Sequence, residues 1–537
     1  MTKVTIQQGT LLGNECKTEY GTDYYEFLQI PYAKPPVGDL RFQIPHPPEA
    51  WDGVRDATNV DEKHVCYQLD VYRKGMNLIG SEDCLYLNVF TPKLQSSDTE
   101  LLPVLFNIHG GGFVGGEGIL KSFERKDCLL DYGVVVVSIN YRLNVFGFLS
   151  LNIPEAAGNM GLKDQVMALQ WVRDNISKFG GDKDNVTLIG VSAGSASAEY
   201  HMYSPLSKGL FHRAILISGS ALNTWALNKD VLDNAVKLAQ ELGYQGSPND
   251  SHAIRNFLLE QSTEKLYDAY NNKLPNLMTT PTKPFYFAFG PCIEENFEGV
   301  DAFLTDSPYH LLKKGKINKV DVLSGMSEFE GIMITTMKPN IMTDLSEKKN
   351  FTEFWPRPLK NCNITVINAK FDQLYLKHQT NLDERKLSAI DYFGDLEFVS
   401  GFWIGSKLMA KQGISPYVFL FCYDGNLNMT KKMFSNPYRA GANHGEIIGY
   451  LTELTILDDV QAAEEDILMR KRMRKMFTDF VKTGNPTPTT SELLPFQWPV
   501  FTDEEQKYLR IDKDIEVVAK YKPEAMALFE DIYDVNF

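Results

Sequence analysis

Val186-Thr187-Leu188-Ile189-Gly190-Val191-Ser192-Ala193-Gly194-Ser195-Ala196-Ser197-Ala198-Glu199-Tyr200 changes character at its middle. The β-branched and aliphatic run Val186–Ile189 reads as a buried strand, and the small-residue run Ser195–Tyr200 as a helix. Only Gly190-Val191-Ser192-Ala193-Gly194 lies between them. A G-x-S-x-G match is weak alone, because Gly and Ser are common. A strand-to-helix turn this tight gives it weight. It holds a serine in a strained conformation, and flanking glycines permit the close backbone approach. Ser192 Oγ would then project at the top of a sheet, with a helix N-terminus behind it that favours developing negative charge. The plainer alternative is a small-residue turn that merely packs a helix on a strand.

Outward from this turn, Val104–Ile108, Val134–Ile139, Ile215–Ile217, Val320–Leu323 and Tyr417–Phe421 are apolar at nearly every position. Strands buried on both faces look like this. Asp164–Phe179 carries Val166, Leu169, Val172, Ile176 and Phe179 at helical spacing, and Gly180-Gly181 follows as a stop signal. Strand, helix, strand is the unit of a wound sheet, so the predicted class is α/β, a mostly parallel central sheet covered by helices. The part through Tyr86–Phe90 reads as antiparallel strands with turns at Pro31, Pro35-Pro36 and Pro47-Pro48. The regions near 225–290 and 340–415 are irregular mixtures of helix-like and polar segments and read as long insertions over the sheet, where access and selectivity are set. No linker divides the chain, which predicts one domain over 1–537.

Composition narrows the classes of function. The 537 residues are 43% apolar and 23% charged, ordinary globular usage that excludes wholesale disorder. The net charge of −15, with no basic patch, argues against a nucleic-acid partner. No run approaches 18 apolar residues, so no membrane span is expected. The seven cysteines are scattered without a C-x-x-C pair, against a zinc ribbon or a dense disulfide framework, and their odd number fits mostly reduced thiols. Met1–Gly9 is polar and alternating, unlike a secretory leader, and Asp534–Phe537 is no retention tetrapeptide. The expectation is a cytoplasmic protein, secreted only if a leader is missing from this sequence; the sequons at Asn185, Asn363 and Asn428 are then idle. Nothing in the sequence indicates an oligomeric state.

His109-Gly110-Gly111-Gly112-Phe113 ends the strand Val104–Ile108. Consecutive glycines free a backbone so that N–H groups converge on one point, and Gly111, Gly112 and Ala193 are the donors expected of an oxyanion hole. A phosphate-cradling loop is the alternative; no Lys-Ser/Thr follows and no G-x-G-x-x-G frames it. His109 reads as shaping this loop. A serine hydroxyl needs a base near neutral pH, so one of nine histidines must serve. His46, His64, His252, His310 and His378 sit in polar or Pro-rich surroundings, and His201 and His212 lie on or after the nucleophile helix, where packing is the expected role. His444, in the turn-rich Gly441-Ala442-Asn443-His444-Gly445 after the strand Tyr417–Phe421, is the candidate base. The orienting acid should fall between serine and histidine. Glu330, just past Val320–Leu323, is the first candidate and Glu328 the second, with an exposed non-catalytic role as the alternative for both.

At this point the chain resembles the cholinesterase/carboxylesterase family (type-B carboxylesterases) over essentially its whole length. The matching stretches include Ile30–Ala33 with Arg41-Phe42, Ser81–Asn88, His109–Phe113, Asn140–Arg142, Gly158-Asn159, Gly161–Gln165, Gly190–Gly194, Glu330-Gly331 and the His444 loop. The resemblance implies the α/β-hydrolase fold and a serine esterase without metal or organic cofactor. It implies the triad Ser192, Glu330 and His444, and an oxyanion hole of Gly111, Gly112 and Ala193. Arg41–Glu82 and Arg142–Asp164 resemble the family's ion pairs, and Cys66–Cys84 its first disulfide; no cysteine pair matches its second.

Departures bear on substrate. Val191 stands where relatives carry Glu before the nucleophile; Ile447 stands where they carry Glu three residues after the histidine, with Glu446 one place early. The Cys66–Cys84 loop lacks the Trp that cholinesterases offer a quaternary ammonium. Phe285, Phe287 and Trp225 resemble acyl-pocket residues, though ordinary core explains them equally well. The expected partner is a small-molecule ester, and the chain is similar to insect intracellular carboxylesterases of broad range that act on apolar or xenobiotic esters. The alternatives are a specialised hormone or odorant/pheromone esterase, which shares the chemistry, and a catalytically inactive adhesion-type relative.

Overall fold

In the computed structural model the apolar runs become neighbours in one sheet. The structure describes residues 1–70, 77–95, 100–118, 124–125, 127–275, 280, 284–433 and 439–537. Its strands are β1 (Thr2–Ile6), β2 (Gly9–Lys17), β3 (Asp23–Pro31), β4 (Val54–Asp56), β5 (Tyr86–Thr91), β6 (Leu102–Ile108), β7 (Val135–Ile139), β8 (Gly181–Val191), β9 (Arg213–Ile217), β10 (Asp321–Ser327), β11 (Tyr417–Phe421), β12 (Lys507–Ile511) and β13 (Ile515–Ala519). Among the described residues they form a 13-stranded sheet in the order β1-β2-β3-β5-β7-β6-β8-β9-β10-β11-β12-β13, with β4 beside β2. From β7 to β12 every neighbouring pair is parallel, while β1-β2-β3-β5-β7 and the β12-β13 hairpin are antiparallel.

The central stretches of the parallel strands are mostly apolar because both faces are covered there. Val104, Phe106, Ile108 and Leu188 enter one core, and Leu105, Ile189, Ile215 and Ile217 enter the other. The helix Met160–Asn175 packs on the first face and continues as a 3₁₀ turn to Phe179, ending at Gly180 with φ +75°. The second face is covered by Glu464–Thr483, which buries Met469, Met473, Met476, Phe477 and Phe480. The regions read as irregular contain regular helices, among them Val231–Glu241, Ser251–Leu259, Leu382–Gly394 and Ser400–Lys411. Among the described residues no helix is long and apolar enough to cross a membrane.

Candidate active site

The strand β8 runs into the helix Ala193–Tyr203 with Ser192 as the hinge, at φ +60° and ψ −123°. An L residue at positive φ pays a steric penalty that surrounding contacts must hold in place. Here Ser192 N donates to Ile217 O at 2.9 Å, and Ser192 O accepts from Ala196 N at 3.0 Å. The flanking glycines are required by contact: a Cβ on Gly190 would stand 2.1 Å from Gly194 C, and one on Gly194 would stand 2.2 Å from Ile108 O. Between Val186 and Tyr203, only Val191 and Ser192 keep appreciable exposure. The turn therefore presents a serine to the outside of an otherwise closed core.

The loop after β6 lies against this turn. A Cβ on Gly110 would sit 3.3 Å from Ser192 Cβ, and Gly111 and Gly112 take φ values of +104° and +63°. Gly111 O accepts from Val114 N and Gly115 N, while among the described residues neither Gly111 N nor Gly112 N donates to a protein acceptor. His109 stacks on Tyr141 at 4.3 Å and its Nδ1 meets Gly110 O at 2.8 Å, a loop-shaping role. Gln68 Oε1 accepts from Gly116 N at 2.6 Å, and its Nε2 donates to Gly116 O at 2.8 Å and Cys66 O at 3.0 Å. The Cys66–Cys84 segment, closed by a disulfide with Cα atoms 4.8 Å apart, is thereby tied to the glycine loop.

Two further loops converge at the ends of β10 and β11. Glu330, 1% exposed, accepts from Ser327 N at 2.7 Å through Oε1 and meets His444 Nδ1 at 2.6 Å through Oε2. The loops carrying this pair are joined by Phe329 N to Ala442 O at 3.0 Å and Met333 N to Asn443 Oδ1 at 3.0 Å. Glu328 goes elsewhere. It is half-buried among Arg510, Asp512, Arg439 and Asp391, and burial raises its carboxyl above the ordinary range. The structure thus brings Glu330, not Glu328, to His444.

The aromatic candidates form one wall. Phe398, which sequence reasoning missed, packs on the His444 ring at 4.6 Å, with Phe285 at 5.8 Å beyond it. Phe285 stacks on Phe287 at 6.1 Å, and Phe287 closes on Gly112, where a Cβ would stand 2.8 Å from its Cζ. Trp225 touches Phe285, Phe287 and Phe398 at 6.0–6.5 Å, and its Nε1 donates to Glu397 O at 2.8 Å. These rings therefore run from the glycine loop to His444. Phe398 carried no signal of its own: an aromatic in an apolar stretch reads as core.

The side next to Val191 is apolar. A Cβ on Gly445 would lie 3.6 Å from Ile448 Cδ1 and 3.9 Å from Val191 Cγ1. Behind them is a cavity of about 40 Å³ whose lining includes Ile189, Val191, Ile217, Ile448 and Leu451. Ile447 is buried in the core that Val191 and Ile448 pack against. The nearby carboxylate of Glu446 accepts from Thr430 N at 2.9 Å and Lys431 N at 2.7 Å.

A fold of this kind, with an exposed serine on a strained turn, a glycine loop beside it and a buried acid–histidine pair, is that of the α/β hydrolases. The Carboxylesterase family model matches residues 1–529, and the chain belongs to that family of carboxylic ester hydrolases. It is 35% identical over 511 residues to Esterase FE4 of Myzus persicae, covering 91% of this chain and 86% of that protein. It is 33% identical over 508 residues to Juvenile hormone esterase of Tribolium castaneum, covering 90% and 84%. Venom carboxylesterase-6 of Apis mellifera is 30% identical over 503 residues, covering 90% and 86%.

Proposed function

We propose that this protein hydrolyses uncharged carboxylic esters through an acyl-enzyme on Ser192. The observation that carries the reading is the buried contact between Glu330 and His444, next to a loop that folds onto Ser192. In this reading His444 Nε2 takes the Ser192 proton as Oγ forms a bond to the ester carbonyl carbon. Glu330 holds the imidazole through Nδ1 and stabilises the cation that forms. The N–H groups of Gly111, Gly112 and Ala193 receive the negative carbonyl oxygen. The bond to the alcohol oxygen then breaks, and His444 returns its proton to that oxygen. Water repeats the sequence, giving its proton to His444 as it attacks the acyl carbon, and Ser192 leaves with the proton.

Substrate class follows from the walls. Phe285, Phe287, Trp225 and Phe398 offer an acyl group aromatic surface, and Val191 with Ile448 presents the nucleophile with an apolar flank. A cationic alcohol would lose hydration there without gaining a partner, whereas an apolar one gains buried contact. We therefore read the enzyme as a broad-range carboxylesterase of apolar esters. The test pairs a 3,3-dimethylbutyl ester with the isosteric choline ester of the same acid, using wild type and Ser192→Ala. Wild type should favour the neutral ester in kcat/KM, and an organophosphate should label Ser192 stoichiometrically. Ser192→Ala should lose both turnover and labelling. Equal rates on the two esters would sink the substrate class; turnover by Ser192→Ala would sink the mechanism.

A further inference from the structure

Gly441 and Gly445 bracket Ala442, Asn443 and His444 at φ +132° and +74°, so contacts with other elements must set where His444 points. A base must point at its nucleophile to within fractions of an ångström, since misplacement of about 1 Å can lower a rate about a hundredfold. Glu330 holds the Nδ1 edge of the ring and Asn443 Oδ1 accepts from His444 N at 2.7 Å, which leaves the His444 carbonyl to be held from elsewhere.

That carbonyl is held from a second element. Thr430 Oγ1 donates to His444 O at 2.6 Å, and Thr430 itself is 3% exposed. Two positions beyond the histidine, Glu446 is fully buried and receives the N–H groups of Thr430 and Lys431 on its two oxygens. The charged side chains that act on it include Asp424 and Lys431, which pair with each other at 2.8 Å. Burial pushes the Glu446 carboxyl up to about 8 against the pull of its two N–H donors. Burying a carboxyl is unfavourable unless its oxygens are met, and here what meets them is the backbone that carries the Thr430 hydroxyl. Glu446 to Thr430 backbone, then Thr430 hydroxyl to His444 carbonyl, closes a ring of hydrogen bonds around the base.

We infer that Thr430 and Glu446 are positioning residues for the general base, Glu446 fixing the backbone at Thr430 and Thr430 fixing the carbonyl of His444. The inference rests on the reading of His444 as the base. Its consequence is a loss confined to the chemical step. Neither residue lies in the aromatic wall, so substrate binding should be spared.

The experiment measures kcat and KM on a neutral ester for wild type, Thr430→Val, Thr430→Ser, Glu446→Gln and His444→Gln, with circular dichroism to confirm folding. Thr430→Val should lower kcat about ten- to a hundredfold with KM within about twofold. Thr430→Ser, which keeps the hydroxyl, should restore kcat. Glu446→Gln should lower kcat in the same direction, and combining it with Thr430→Val should add little, because both act through one link. A folded Thr430→Val with wild-type kcat, or a Thr430→Ser as slow as Thr430→Val, overturns the inference while the reading of His444 stands. Should His444→Gln turn over at the wild-type rate, the reading of the base falls and the inference with it.

Discussion

Two carboxylates separated by one residue face different surroundings, and that difference assigns their roles. Ser327 N and His444 Nδ1 occupy the two oxygens of Glu330, which is sealed from solvent. Glu328 shares a half-buried patch with Arg510 and Arg439. A carboxylate that orients an imidazole fixes its tautomer, and its amide cannot do so; loss of that role lowers kcat by about ten thousandfold in the serine protease example. Glu330→Gln is therefore expected to lower kcat by about a thousandfold or more. Glu328→Gln should stay within about threefold of wild type, since side chains outside the reacting unit contribute little. Steady-state rates on a p-nitrophenyl ester check both, and a sensitive Glu328 would reverse the assignment.

At the scale of elements, the glycine loop after β6 gains its shape from a neighbour far away in sequence. Gln68 bonds Gly116 in both directions, Leu69 N donates to the Tyr267 hydroxyl at 3.0 Å, and the segment is closed by Cys66–Cys84, 18 positions apart. A cross-link over a loop of this length is worth about 3 kcal/mol through the unfolded chain. Cys66→Ser/Cys84→Ser is expected to unfold more easily by about that amount in urea. Gln68→Leu keeps the cross-link and removes the tie, so it should lower kcat while leaving much of the stability. If Gln68→Leu matched wild type in kcat, the tie would have no bearing on the oxyanion loop.

For the whole molecule, pH dependence should follow its buried ionisable groups. His201, on the helix Ala193–Tyr203, lies fully buried between Gln165 Oε1 at 2.9 Å and Ser207 Oγ at 2.6 Å, and burial lowers its pKa from 6.5 to about 3. The unfolded chain binds a proton at this residue below about 6.5, whereas the folded chain does so only below about 3. Its contribution to stability is therefore complete above the upper value and is lost as pH falls through that window. Glu446 acts in the opposite sense: its raised value makes stability fall as pH rises from 4.5 to about 8. The Glu446 contribution is common to both proteins, so the thermal midpoint of wild type should fall relative to that of His201→Gln as pH drops from 6.5 to 4. Identical slopes would mean that His201 does not contribute to acid unfolding.

What could be read from the chain was what is local. The parallel strands announce themselves because burial on both faces demands mostly apolar residues in their central stretches. The strand-to-helix turn at Ser192 is legible within Gly190–Gly194, although the contact that requires Gly194 comes from Ile108 on β6. The helix Glu464–Thr483 was not read from the sequence: its stripe at Met469, Met473, Met476, Phe477 and Phe480 is masked by its many charged residues. Edge strand β13 was not legible, because Ile515–Ala519 is short and none of its residues is buried, so no alternating pattern marks it. The sequence ranked Glu330 ahead of Glu328, but only tertiary structure brought it to a histidine 114 positions away, put Phe398 against that histidine, and set Ile448 and Val191 along one cavity. It also turned the Glu446 carboxylate toward Thr430 and Lys431. Apolar periodicity records how much of a side chain is buried. Which partner meets it depends on how loops from different strand ends cross, and no spacing along the chain encodes that crossing.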